Sequence, residues 1–287
     1  MTRLIVGCGY LGRRVALRWQ AAGHEVLGLV RDPAQAAELA RQAIRPILAD
    51  VTRPETSPPL PQAETVLYAV GYHRGGGQSR WDVCVEGLRA VLAALPSGTG
   101  RIIFISSTSV LGESAGDWVD EDSPCRPQRE AGQALLAAET LLLAHPLGRR
   151  AVILRLAGLY GPGRLPRTTE IVAGKVLAVS PNSQANLIHV DDAAAVVLAA
   201  EMRAQPPCTY LVSDGHPVDR RTFCRYLAEL LGAPPPQFCE PAPEAADRHR
   251  SEKRVSSARM SAQLGVALQY PSYREGLAAS LNLKSEI

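Results

Sequence analysis

The sequence predicts an α/β protein, a doubly wound parallel sheet followed by a smaller C-terminal lobe. Three observations carry this. The runs RLIVG, EVLGLV, TVLYAV, RIIFIS and AVILRL are apolar at successive positions, as strands covered by helices on both faces must be. Helical patterns separate them near Leu11–Ala22, Pro33–Ala43, Trp81–Leu95 and Gln133–Ala144, and parallel neighbours need such crossovers. After Leu156 the alternation loosens into loops and isolated pieces.

The first strand runs into VGCGYLGRR, which sets Gly7, Gly9 and Gly12 in GxGxxG spacing at the head of a helix. One glycine allows the tight turn, one the close approach of a pyrophosphate, and one the packing of helix on strand. The helix N-terminus, with Tyr10 and Leu11, offers amide N–H groups and a positive dipole end to phosphates. This is a Rossmann-like dinucleotide site.

The second strand ends in VLGLVRDP, with Arg31 first and Asp32 second. An arginine there pairs with a ribose 2′-phosphate, whereas a carboxylate accepts from a 2′-hydroxyl. The order favours NADP, with Arg13 as a second cation near the same phosphate, and NAD as the alternative. If instead Arg31 is a solvated surface residue, Asp32 caps the next helix. After the third strand, Asp50 and Val51 stand where an Asp reaches an adenine amine. The fourth strand closes in YAVGY, where Ala69, Val70 and Gly71 leave room for a cofactor over the backbone.

Past Leu156 come the loop GLYGPGRLPRTT, a short strand NLIHV, a helix over Asp191–Ala204 and a strand TYLVS. Helices near Arg221–Leu231 and over Tyr273–Asn282 follow. The expected division is a dinucleotide-binding domain over 1–160, to which 186–213 return, and a smaller substrate lobe from 161–185 and 214–287.

Composition narrows the classes. The 287 residues are 46% hydrophobic and 21% charged, as in ordinary globular chains. A net charge of +3 is too small to argue for nucleic acid. Cys8, Cys84, Cys125, Cys208, Cys224 and Cys239 form no CxxC pair and no metal-ligand spacing, so reduced thiols, no metal and a cytoplasmic location are expected. No apolar run approaches the ~18 residues that span a bilayer. The one basic run, Asp247–Arg254, contains Arg248, Arg250, Lys253 and Arg254, a solvated face or a site for an anionic ligand.

The glycine turn, FISSTSVLG, LRLAGLYGPGR, NLIHVDDAAAVV and YLVSDGHPV, in that order, resemble the extended short-chain dehydrogenase/reductases, the NAD(P)-dependent epimerase/dehydratase superfamily. The resemblance implies a catalytic Ser or Thr at Ser107, with Thr108 beside it. It also implies cofactor contacts at Ser106, Leu156 and Gly158. That family further needs a Tyr and a Lys four residues apart on the next helix, to exchange a proton with a substrate hydroxyl. Counted back from Glu139, which matches a family Glu, those places hold Ala131 and Leu135, although Gly132 keeps the glycine beside the missing Tyr. No Tyr lies between Tyr72 and Tyr160, and no Tyr is followed four residues later by Lys175, Lys253 or Lys284. Cys84 stands in place of a family Asn. The chain is therefore similar to the atypical extended members that lack the active-site tyrosine.

Other groups for proton transfer are Tyr72 and His73, after the fourth strand and ahead of the loop Gly75–Gly77. Tyr160 and Arg164 are candidates for orienting a small-molecule substrate. Glu130 faces away by about 100° from the empty Tyr position, and His189 is read as a structural hydrogen-bonding residue. Two functions follow. One is an NADP-dependent oxidoreductase or epimerase with a non-standard acid–base group, with a polar pocket lined by Ser107, Tyr72 or His73, and Tyr160. The other is a non-catalytic NADP(H) sensor, with a filled or apolar pocket there. No nucleic acid or membrane partner is expected; the resemblance implies the helices flanking the central strands as the faces of a homodimer, the alternative being that they pack only on the sheet.

Overall fold

The structure, a computed structural model, describes residues 1–73, 75–112, 114–241 and 252–282. Its first half runs β1 (Thr2–Val6), α1 (Tyr10–Ala21), β2 (Glu25–Val30), α2 (Pro33–Arg41), β3 (Arg45–Leu48) and β4 (Thr65–Tyr68). Then come α3 (Gly87–Ala94), β5 (Arg101–Ser107), the short β6 (Trp118–Val119), α4 (Glu130–Ala144) and β7 (Ala151–Leu156). After β7 lie β8 (Gly158–Tyr160), α5 (Thr168–Val172), β9 (Leu177–Ala178), β10 (Gln184–Ala185), β11 (Leu187–His189) and α6 (Val190–Arg203). The chain continues through β12 (Cys208–Val212), β13 (Val218–Asp219), α7 (Arg220–Leu230), β14 (Phe238–Cys239) and β15 (Arg254–Val255), then the helices Ala258–Leu264 and Tyr273–Asn282.

Seven parallel strands form the central sheet, in the order β12-β7-β5-β4-β1-β2-β3. The chain winds outward from β1 in both directions, so a crevice opens at the carboxyl ends of β1 and β4, where such sheets take their ligands. Alternation within each strand divides the core. Leu4 and Val6 face α3 and α4 with Val66, Leu88, Phe104 and Leu142. Ile5 faces α1 and α6 with Val15, Trp19, Leu154 and Val197.

Residues 208–212 return to the sheet as its edge strand, in register with Val152–Leu156. The smaller lobe has its own core, in which Ile171, Leu177, Phe223, Leu227, Tyr273 and Leu277 are buried. The short parallel pairing of β6 with β15 ties the lobes together, and β8 pairs likewise with β11. No described helix is long and apolar enough to cross a membrane.

The differences from the expected elements are local. α2 stops at Arg41 because Ala43 turns left-handed at φ 57°. The helix expected from Trp81 opens with a wide π turn over Asp82–Glu86, and α4 begins three residues early at Glu130. The helix Ala258–Leu264 was not anticipated; it ends at Gly265, at φ 56°.

Candidate active site at the carboxyl edge of the sheet

The three glycines after β1 serve three different constraints. Gly7 sits at φ +87°, and a Cβ there would lie 2.7 Å from the backbone of Ala69 and Val70. Around Gly9 no atom comes within 4 Å of a Cβ position, so the backbone is bare toward the crevice. A Cβ on Gly12 would stand 2.7 Å from Gly7 O and 2.9 Å from the Ile5 side chain, so α1 can lie on β1 only with glycine there. No side chain caps α1, which leaves its first amides to whatever occupies the crevice. Gly7→Ala combines strain with overlap, so a loss of about 1–3 kcal/mol of stability is expected together with loss of dinucleotide binding. Urea unfolding and a nucleotide titration check both.

The crevice is a cleft of about 360 Å³. Gly7, Gly9, Tyr10 and Leu11 line it from the turn, Arg31 from the end of β2, and Asp50 and Val51 from beyond β3. Ala69, Val70 and Gly71 line it after β4, and Leu156 after β7. Arg31 is exposed, while Asp32 accepts from Ala34 N at 2.9 Å as the N-cap of α2. Asp50 Oδ1 accepts from Thr52 N and Thr52 Oγ1 at 2.9 and 2.8 Å, which fixes the turn beneath it. The sequence reading missed Gln35, Val83, Ile105 and Leu159 in this lining, and Cys8, whose thiol burial pushes up to about 12. These side chains have no motif of their own.

Several expected contacts are placed differently. Arg13 does not line the cleft; its guanidinium lies 3.9 Å from Glu38 on α2. Ser106 is buried and donates to Glu139 Oε1 at 2.5 Å, so it secures β5 to α4 and does not reach a cofactor. Arg164, expected to face substrate, lines the cleft instead, with its guanidinium 5.5 Å from the centre of the Tyr10 ring.

A second cavity of about 310 Å³ adjoins the first. Leu156 lines the cleft and Ala157 lines this cavity, so the two meet across one peptide of the chain. Ser107, Thr108 and Gly158 line it, together with Arg129, Asn186, Arg220 and Lys253. Ser107 Oγ accepts from Ser109 N at 3.1 Å, which caps the turn Thr108–Val110 and leaves the hydroxyl proton free to be donated.

Of the two positions that the resemblance gives to the Tyr and Lys, Ala131 and Leu135 are both half-buried. A Cβ on Gly132 would press into Ser109 O and Pro127, so α4 lies directly beneath the serine turn. Leu135 packs against the cluster of Val110, Leu111 and Val255. Tyr72 and His73 line neither cavity. Tyr72 lies under the Arg80 guanidinium, 4.1 Å from the ring centre, and His73 Nδ1 accepts from Gly75 N at 3.2 Å in its own loop.

Tyr160 corrects a further expectation. It is wholly buried, its ring edge against His189, its hydroxyl donating to Ser272 O at 3.4 Å and pressed against Gly276. Pairing of β8 with β11 turns it into the small lobe, away from any substrate, and burial drives its phenol pKa far up. His189 is equally enclosed. Its Nδ1 accepts from Asp191 N at 3.2 Å, and Ser280 Oγ, which donates to Gly276 O, lies 3.2 Å from Nε2. The ring is therefore the neutral Nε2–H tautomer, and burial lowers its pKa to about 4. Asp192 accepts from Gln269 N and Tyr270 N, which ties the C-terminal segment to α6.

Among the described residues of this region, Asp214 carries the most strongly displaced carboxyl. It is 6% exposed, Oδ1 accepts from His216 N, and Oδ2 is buried without a hydrogen bond. Burial, reinforced by Asp192 and Glu275, raises its pKa to about 7. Of the basic run, Arg248 and Arg250 lie outside the described residues; Lys253 is buried and Arg254 is exposed on β15. Among the described residues no group of three His, Cys, Asp or Glu is placed to hold a metal ion.

The profile of the NAD dependent epimerase/dehydratase family matches residues 4–212. Protein YeeZ of Escherichia coli K12 is 33% identical over 277 residues, covering 93% of this chain and 95% of its own. A 3-diazoavenalumate denitrifying reductase of a Streptomyces species is 27% identical, covering 96% of this chain and 99% of its own. The solved structure of a functionally unknown conserved protein from Silicibacter pomeroyi superposes with a TM-score of 0.81 at 30% identity, covering 98% of each chain.

Proposed function

Because this chain belongs to the NAD-dependent epimerase/dehydratase family, we propose that it is an NADP-dependent oxidoreductase or epimerase acting on a small molecule without a tyrosine–lysine pair. The observation that carries the choice of NADP is at the end of β2. Arg31 is exposed on the cleft wall, while the carboxylate of Asp32 is engaged as a helix cap and offers a ribose hydroxyl little.

The residues present fit the cofactor. The amides after Gly9 receive the pyrophosphate, the bare face of Gly9 lets it approach, and Arg31 pairs with the 2′-phosphate. When bound, the dinucleotide supplies a nicotinamide carbon that gives or takes hydride. Substrate occupies the second cavity, where Ser107 donates its hydroxyl proton to a substrate oxygen and Thr108 stands beside it. His189 takes no part in proton transfer, since both ring nitrogens are committed and it is wholly buried.

A polar cavity beside Ser107 favours an enzyme over a sensor, which has no use for it. The reductase name of the Streptomyces relative points the same way. The test is a titration of nucleotide-stripped protein with NADP+, NADPH, NAD+ and NADH in one buffer. The phosphorylated pair is expected to bind more tightly. Arg31→Ala should weaken it about 10- to 100-fold, the loss of a charge-assisted contact, and leave NADH nearly unchanged. Equal loss for both pairs would refute the role of Arg31.

A further inference from the structure

We propose that Arg164 is a further cofactor-binding residue, its guanidinium pairing with the pyrophosphate of the dinucleotide, and that Tyr10 positions it. Both roles rest on the reading of the cleft as the dinucleotide site. Four residues, Gly161-Pro162-Gly163-Arg164, set the geometry. With proline second and a glycine at φ 76° third they form a type II turn, which Arg164 N closes by donating to Gly161 O at 2.9 Å. The turn follows directly on β8, whose pairing with β11 fixes where it starts. Together these constraints deliver one long side chain, Arg164, to the wall of the cleft.

Tyr10 holds the turn in place. Its hydroxyl donates to Pro162 O at 3.1 Å, across 152 residues of sequence. A Cβ on Gly161 would lie 2.8 Å from the same hydroxyl, so the turn and the head of α1 are in direct contact. Two guanidiniums stand over the Tyr10 ring, Arg14 at 4.4 Å and Arg164 at 5.5 Å from its centre. Arg14 is engaged by Asp191 at 3.3 Å. Arg164 is exposed and pairs with no carboxylate among the described residues.

Charge and position together select the ligand group. A pyrophosphate diester is doubly charged, and the N-terminus of α1 offers roughly half a positive charge in return. Of the described residues that line the cleft, only Arg31, Asp50 and Arg164 carry charge. Arg31 stands at the end of β2, at the adenosine ribose. Arg164 stands against Tyr10, the first residue of α1, beside the amides that no side chain caps. A guanidinium there presents a planar fork of donors, which suits adjacent phosphate oxygens.

The test is calorimetric titration of the full chain, stripped of nucleotide, with NADPH and with NADH. Arg164→Gln should weaken both about tenfold, the value of one charged hydrogen bond. Arg164→Lys, which keeps the charge and loses the fork, should fall between it and the wild type. Arg31→Ala should weaken NADPH alone, which separates the two arginines. Tyr10→Phe loses the bond to Pro162 O. It should weaken both cofactors about threefold by itself and add nothing to Arg164→Gln, since it acts through that residue. Melting curves of the ligand-free Arg164 variants should match the wild type, the side chain being exposed. Unchanged affinity in Arg164→Gln, or a loss confined to NADPH, overturns the proposal. The same threefold loss from Tyr10→Phe in both backgrounds overturns the positioning role. If the wild type binds neither cofactor, the reading of the cleft fails first. If it binds them and Arg164→Gln binds them equally well, only the role of Arg164 falls.

Discussion

Replacing Glu139 by alanine is expected to cost about 3–5 kcal/mol of folding stability, since it strands a buried guanidinium. Glu139 is 2% exposed on α4, and Arg155 is 7% exposed on β7. The carboxylate accepts from Arg155 Nη2 at 2.7 Å and Nε at 3.1 Å, and from Ser106 Oγ at 2.5 Å. The pair is thus desolvated and fully engaged, and deleting one member leaves the other with neither water nor counter-charge. The paired replacement Glu139→Leu with Arg155→Met should recover most of the loss, because apolar groups of similar volume need no partner there. Urea unfolding of the two singles and the double closes the cycle. A loss below about 1 kcal/mol in Glu139→Ala would place the pair among weakly contributing ion pairs. Because the bond fastens α4 under β5, the single variant should also disturb the adjoining serine turn.

The second large effect is one of pH. Asp214 has a folded pKa of about 7 against 3.8 for the free side chain. The folded state holds its proton more firmly, so this contribution is greatest in acid. It is lost as pH rises from about 4 to 7, by roughly 4 kcal/mol in all. His189 runs the other way. Its folded pKa of about 4 lies below the free value of 6.5, so its contribution is present above 6.5 and lost as pH falls toward 4, by roughly 3 kcal/mol. Between pH 4 and 6.5 the slopes oppose, and the wild-type protein should change stability little over that span. Asp214→Asn keeps the acceptor for His216 N and removes the buried charge. It should raise stability at pH 7.5 by a few kcal/mol and expose a stability that climbs with pH from 4 to 6.5. Denaturant midpoints at pH 4.5, 5.5, 6.5 and 7.5 decide it. An unchanged midpoint at pH 7.5 in Asp214→Asn would show that the carboxyl finds solvent.

The dinucleotide cleft was legible because its constraints are local. Gly7, Gly9 and Gly12 and the small residues of Ala69–Gly71 each act through a few neighbouring atoms, and their spacing survives in the chain as written. The sheet was legible for a similar reason, since strands buried on both faces leave unbroken apolar runs. The second cavity was not. Arg129, Arg220 and Lys253 meet there only because α4, α7 and β15 converge, and no local spacing encodes a convergence of three distant segments. Of the three, only Lys253 was singled out in the sequence, within its basic run. Tyr160 misled for a related reason. A tyrosine among glycines and a proline suggests an exposed loop, yet the register of β8 on β11 carries it into a core. Ser106 and Ser107 differ by one residue and thus by face, which is why one serves the ion pair and the other the cavity.

The place of β12 in the sheet bears on how the chain is made. β7 pairs with β5 on one side, but its other neighbour is supplied only by Cys208–Val212. During synthesis from the N-terminus, Ala151–Leu156 emerges with its outer hydrogen-bonding groups bare, and stays so while Ala157–Pro207 are still being added. An apolar strand with an open edge is a template for another chain. A ribosome-bound intermediate of this protein is therefore most exposed to aggregation after β7 appears and before β12 closes over it, and a holdase would have its work there.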